Sequence, residues 1–211
     1  MPDLLAALRR ALPQGVAVAA SDGSGRWPGE EIGAVVPKRL AEFTAGREAA
    51  RAAMRALGHA AAAVPVGPDR APVWPIGLTG SITHCAGACL AVVAETRRWA
   101  GLGLDVEPLA PVPADLWPTL LAEGEAVADG TAALALFVAK EAAYKAQYAP
   151  SRQLFDFQTL RLHWQGDGFS AVFTRPVPPF VAGAALSGQV TRSQGHFAAF
   201  VAIAAAQRRI P

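Results

Sequence analysis

Lysine is nearly missing from this chain of 211 residues: there are three, Lys38, Lys140 and Lys145, and the other basic residues are arginine. Two of the three flank Glu141, which makes that stretch stand out. Cysteine is scarce too. Cys85 and Cys89 lie four apart with no second pair, so a structural zinc site lacks ligands and buried thiols in a reducing cytosol are expected. The formal net charge is only +2, which argues against a general nucleic-acid binder. No apolar run is long and charge-free enough to span a bilayer, and no basic start leads into an apolar, cleavable segment. A soluble, cytoplasmic protein without nucleic-acid or membrane partners is expected. Neither a Gly-x-x-x-x-Gly-Lys-Ser/Thr loop nor a Gly-x-Gly-x-x-Gly fingerprint occurs, which removes the two commonest nucleotide-phosphate cradles.

What is present is globular: 52% of residues are hydrophobic and 17% charged, enough chain for one large domain or two small ones. The most informative stretch is Gly103-Leu104-Asp105-Val106-Glu107. It reads as a buried strand stopped by Pro108, and strand alternation turns Asp105 and Glu107 to one face. Neighbouring carboxylates repel unless a cation lies between them, and a hard ion such as Mg²⁺ is the usual solution. The plainer alternative is a solvated strand end with two surface acids.

Pro37 opens a helix over 37–57 whose apolar stripe includes Leu40, Phe43, Ala50, Met54 and Leu57, with Gly58 as its stop. Helical phase puts Arg47 inside that stripe and Arg39 at its edge. A buried arginine needs an anion, either a ligand phosphate or a structural carboxylate. Gly80-Ser81-Ile82-Thr83-His84-Cys85 places hydroxyls and an imidazole at a strand end beside glycine, suited to phosphate oxygens, although a lone histidine is more often structural. Helices are expected over 114–128 and 132–148, the second ended by Pro150. Glu141 falls on the apolar side of the latter with Lys145 four residues on, where an ordinary surface pair is out of place. The remainder alternates as antiparallel strands over 157–164, 169–173, 184–190 and 196–204.

Pro37-Lys38-Arg39, Glu42-Phe43, Gly46-Arg47, Ala50-Arg51, then Gly80 to Cys85, Gly103 to Glu107 and Lys140-Glu141-Ala142-Ala143-Tyr144-Lys145, with Trp74-Pro75 after the first block, together resemble the 4′-phosphopantetheinyl transferases of the two-lobed, enterobactin-synthetase type. The resemblance implies an α+β fold of two pseudo-symmetric lobes, here residues 1–101 and 102–211, with the active site in the cleft between them. It implies Mg²⁺, with Mn²⁺ as an alternative, held by Asp105, Glu107 and Glu141. Arg39, Arg47 and His84 would take the 3′-phosphate of coenzyme A, and Lys140 and Lys145 the pyrophosphate. Arg51, Arg70, Ser81 and Thr83 would be further coenzyme A contacts, and Glu141 with Lys145 the catalytic pair. The implied reaction moves phosphopantetheine to a serine of an apo acyl or peptidyl carrier protein of siderophore, polyketide or nonribosomal peptide synthesis, as a monomeric holo-carrier-protein synthase. A non-catalytic binder of coenzyme A or carrier, and another Mg²⁺-dependent phosphoryl transferase, are the alternatives. Two departures from the family pattern stand out: Val138 replaces a common small hydroxyl residue, and no lysine occurs between Leu57 and Trp74, which leaves Arg70 alone to contact the nucleotide from that loop.

Overall fold

The computed structural model describes residues 2–205. Its first helix, α1 (Pro2–Ala11), buries Leu4 and Leu8, four residues apart on one stripe. Strand β1 (Val16–Ala20) follows, and then α2 (Pro37–Ala56), which starts at a proline and is closed by Gly58 at φ +90°. Strands β2 (Leu78–Cys85) and β3 (Ala88–Glu95) form a hairpin, and β1 pairs with the far side of β3. The result is a three-stranded antiparallel sheet in the order β1-β3-β2, with α2 packed on one face.

The second sheet begins with β4 (Trp99–Pro108), so the expected lobe division after residue 101 falls inside a strand. Helix α3 (Trp117–Leu120) is a single turn and α4 (Gly130–Ser151) is the long helix of this half. Four strands complete the sheet: β5 (Leu160–Gln165), β6 (Gly168–Phe173), β7 (Ala185–Ser193) and β8 (His196–Ala204). They are antiparallel in the order β4-β8-β7-β6-β5, and β4 pairs with β8 along its length. The fold is therefore α+β, with two sheets, each covered by one long helix.

The expected helix over 114–128 forms only in its first half, as a 3-10 turn (Ala114–Leu116) that runs into α3. Pro118 stands in the first turn of α3, and Leu121 leaves the helix in an extended conformation. Glu125 is then drawn inward by the Ala122 and Leu162 amides, with Gly124 making the turn at φ +80°. Pro150 sits inside the last turn of α4, and the chain breaks out at Arg152 with φ +56°. At the other end Asp129 caps the helix by accepting from the amides of Thr131 and Ala132, both at 2.8 Å, which contributes about 1 kcal/mol. Among the described residues no helix is long and apolar enough to cross a membrane.

Two seams position the functional groups. At the first, β4 touches α4 backbone to backbone: a Cβ on Gly103 would lie 1.8 Å from the Ala142 carbonyl oxygen, and one on Gly101 2.2 Å from that of Ala146. Only glycine permits this approach, which brings Lys145 beside Asp105. At the second, β2 and β4 run side by side without a shared backbone ladder. The Leu104 amide donates to the Ser81 hydroxyl at 3.1 Å, and the Val106 amide to that of Thr83 at 3.2 Å. Behind this seam Leu4 and Leu8 share one core with Leu90 and Val92 of the first sheet and Leu102, Leu104 and Phe200 of the second.

Candidate active site

Strand β4 carries Asp105, only 4% exposed, on a face that the sheet closes to water. Its Oδ1 accepts from the Lys145 ammonium at 2.6 Å and from the Thr83 hydroxyl at 3.2 Å, while Oδ2 is buried without a partner. Lys145 also reaches the Leu104 carbonyl at 3.3 Å. Two residues further on, Glu107 is half-buried, and burial, then repulsion from Asp105, push its carboxyl above the ordinary range. Glu141, one turn before Lys145 on α4, is also raised, by burial first and by Asp105, with Lys145 opposing. The three acids thus lie near enough to perturb one another's ionisation, and Glu141 borders a smaller cavity with Lys140 and Tyr144.

The earlier half supplies the basic wall. Arg39 Nη1 lies 2.8 Å from His84 Nε2, and Glu42 stands within 3.8 Å of both side chains. Burial, partly offset by Glu42, lowers the His84 pKa, and His84 also senses Asp105 and Lys145, which joins the basic wall to the acids. Arg47 is buried along α2, stacked on Phe43 at 4.2 Å, with Nε donating to the Val64 carbonyl at 2.8 Å. No carboxylate among the described residues pairs with it. Burial takes its pKa down to about 10.

A cavity of about 310 Å³ lies where the halves meet, lined by Arg70, Trp74 and Gly80 from one side and Tyr144, Lys145 and Tyr148 from the other. Gly80 leaves room for the Trp74 ring, which a Cβ would meet at 2.6 Å. The Tyr148 hydroxyl donates to Asp69 at 2.7 Å and fastens the loop that carries Arg70. Asp69, Tyr144 and Tyr148 were not singled out as site residues from the sequence. The helical spacing of the two tyrosines from Glu141 was the available signal.

Three expected contacts are corrected. Arg51 is 0% exposed, its two terminal nitrogens are engaged by Glu30, the Gly25 carbonyl and Ser24, and its Nε is buried away from solvent, so the group is closed off from a ligand in the cavity. Lys140 is 0% exposed and donates to Glu125 at 2.6 Å, the Leu120 carbonyl at 2.7 Å and the Phe157 carbonyl at 3.0 Å, so it ties loops to α4 instead of facing a pyrophosphate. Thr83 is buried with its hydroxyl held between the Val106 amide and Asp105, whereas Ser81 accepts from the Leu104 amide and still borders the cavity. Arg39, Arg47, Arg70, Ser81, His84, Asp105, Glu107, Glu141 and Lys145 remain available.

As they stand, no three His, Cys, Asp or Glu side chains among the described residues are gathered closely enough to form a metal cluster. The donor set nevertheless suits a hard divalent cation. It offers three carboxylates, one with an unpartnered buried oxygen, and two with pKa values raised by burial and mutual repulsion that a cation would relieve.

An α+β scaffold with acids on the edge strand β4 and on helix α4, and with arginine and histidine near them, offers the charges that phosphate chemistry requires. The chain belongs to the 4′-phosphopantetheinyl transferase superfamily. Residues 28–94 match the 4′-phosphopantetheinyl transferase N-terminal domain and residues 101–201 the superfamily itself. It is 36% identical over 152 residues to the 4′-phosphopantetheinyl transferase Npt of Nocardia iowensis, covering 68% of each chain. Against Svp of Streptomyces mobaraensis it is 38% identical over 168 residues, 74% of this chain and 68% of the relative. Enterobactin synthase component D of Salmonella typhi is 40% identical over 119 residues, 52% of this chain and 48% of that protein.

Proposed function

We propose that this transferase moves 4′-phosphopantetheine from coenzyme A to a serine of an apo acyl or peptidyl carrier protein. The halves divided near residue 101 would act within one chain, as a monomer. The observation that carries the reading is Asp105, with one oxygen on Lys145 and the other buried and unpartnered, beside two further carboxylates of raised pKa.

Arg39, His84 and Arg47 bind the 3′-phosphate of the nucleotide, with planar guanidinium groups matched to phosphate geometry. Arg70 and Trp74 border the cavity in which the donor lies. Lys145 sets positive charge beside the diphosphate. Asp105, Glu107 and Glu141 would hold Mg²⁺ or Mn²⁺, which when bound supplies charge neutralisation at the diphosphate oxygens. Glu141, directly or through an intervening water, takes the serine proton. The serine oxygen attacks the β-phosphorus, the bond from that phosphorus to the bridging oxygen breaks, and adenosine 3′,5′-bisphosphate leaves. Placement and charge stabilisation account for most of the rate.

Incubation with coenzyme A, Mg²⁺ and an apo carrier protein is expected to add one phosphopantetheine mass to the carrier, with its serine required. A carrier of unchanged mass, with coenzyme A bound but not consumed, would instead identify a non-catalytic binder.

A further inference from the structure

Arg47 and a buried carboxylate, Glu30, both bind the backbone of one residue, Val64. Glu30, 1% exposed, is buried in the loop before α2. Its Oε1 accepts from the Val64 amide at 3.0 Å, and its Oε2 accepts from the Trp27 amide at 3.0 Å and pairs with Arg51. Val64 is fully buried, and its carbonyl receives Arg47 Nε at 2.8 Å. One residue is therefore gripped at its amide by Glu30 and grips Arg47 with its carbonyl. With Nε spent on Val64 and the guanidinium face on Phe43, the two terminal nitrogens of Arg47 have no partner among the described residues and are left for an anion.

We propose that Glu30, anchored by Arg51, is a positioning residue that acts through Val64 to fix Arg47 for the 3′-phosphate of the donor. This rests on the assignment of Arg47 to that phosphate. A carboxylate is required chemically. Both its oxygens accept, so glutamine turns one acceptor into a donor facing either the Val64 amide or the Trp27 amide and Arg51. The same geometry gives Arg51 its place: it neutralises a carboxylate that would otherwise be buried alone.

The test compares steady-state kinetics with coenzyme A and with 3′-dephospho-coenzyme A, carrier and Mg²⁺ held constant. Glu30→Gln is expected to raise KM for coenzyme A about tenfold, the share of one charge-assisted hydrogen bond. KM for the dephospho donor and kcat should move much less. Combined with Arg47→Ala, Glu30→Gln should add no further loss, because both act on one contact. Equal shifts on the two donors, or none in a folded protein, overturn the proposal. If Glu30→Gln does not fold, Glu30→Gln with Arg51→Gln removes both buried charges together and carries the same comparison. Failure of both to fold makes the pair a folding element and overturns it as well. If Arg47→Ala itself fails to distinguish the two donors, the 3′-phosphate assignment falls. If Arg47→Ala distinguishes them and Glu30→Gln does not, only the positioning role falls.

Discussion

Glu141 combines two properties that rarely coincide on a surface helix: burial that raises its pKa, and a lysine one turn away that keeps the carboxylate form accessible. Replacing it with glutamine keeps size and removes basicity. Glu141→Gln should lower kcat by on the order of 10²-fold or more, with a smaller effect on KM for coenzyme A, measured with a saturating carrier protein. His84 predicts a pH effect of definite sign. Its pKa in the free protein lies below the ordinary value because of burial, so the imidazole is neutral at pH 7. A bound phosphate dianion favours the protonated ring and raises that pKa, so binding takes up a proton. Affinity for coenzyme A should fall as pH rises through the window that opens below the ordinary histidine value of 6.5, and His84→Asn should flatten that slope in titration calorimetry. In the protein without ligand the sign is reversed: a depressed histidine loses folded-state stability as pH drops below that same value. Helical phase alone made Arg47 legible as an inward arginine, and the strand period did the same for Asp105 and Glu107. Arg51 was equally inward, but its counter-ion Glu30 arrives from a loop 21 positions away, and no local pattern announces such a pairing.

Helix α4 and strand β4 show what periodicity conveys and what it omits. Both were readable as elements, one from its apolar stripe and the other from its run into Pro108. Their contact was not, because it depends on Gly101 and Gly103 having no side chain where α4 passes. Lys140 was misread for a similar reason. Phase placed it next to Glu141, but its direction is set by Glu125, which sits in a turn that replaces the expected helix. Lys140→Met leaves Glu125 buried without its cation, and should destabilise the fold by about 3–5 kcal/mol in chemical denaturation. The folded fraction should keep its KM for coenzyme A, since the ammonium does not reach the cleft. A selective rise in KM without a stability loss would restore Lys140 to the donor site.

At the scale of the molecule, contacts between the two halves include a shared apolar core under α1, the Tyr148 hydroxyl on Asp69, and the hydroxyls of Ser81 and Thr83 on the amides of β4. The order of the motifs made an acid-bearing strand and helix and a basic helix legible. The junction was not, because no local pattern shows that the Ser81 and Thr83 hydroxyls accept from the amides of β4. Ser81→Ala orphans the Leu104 amide and should lower unfolding stability by roughly 1–3 kcal/mol, seen as a reduced melting temperature. A ladder of peptide groups can be supplied by any sequence, whereas this part of the seam is made by two side chains. It is therefore written into the identity of residues 81 and 83, and a point substitution can erase it while every strand keeps its own backbone pairing.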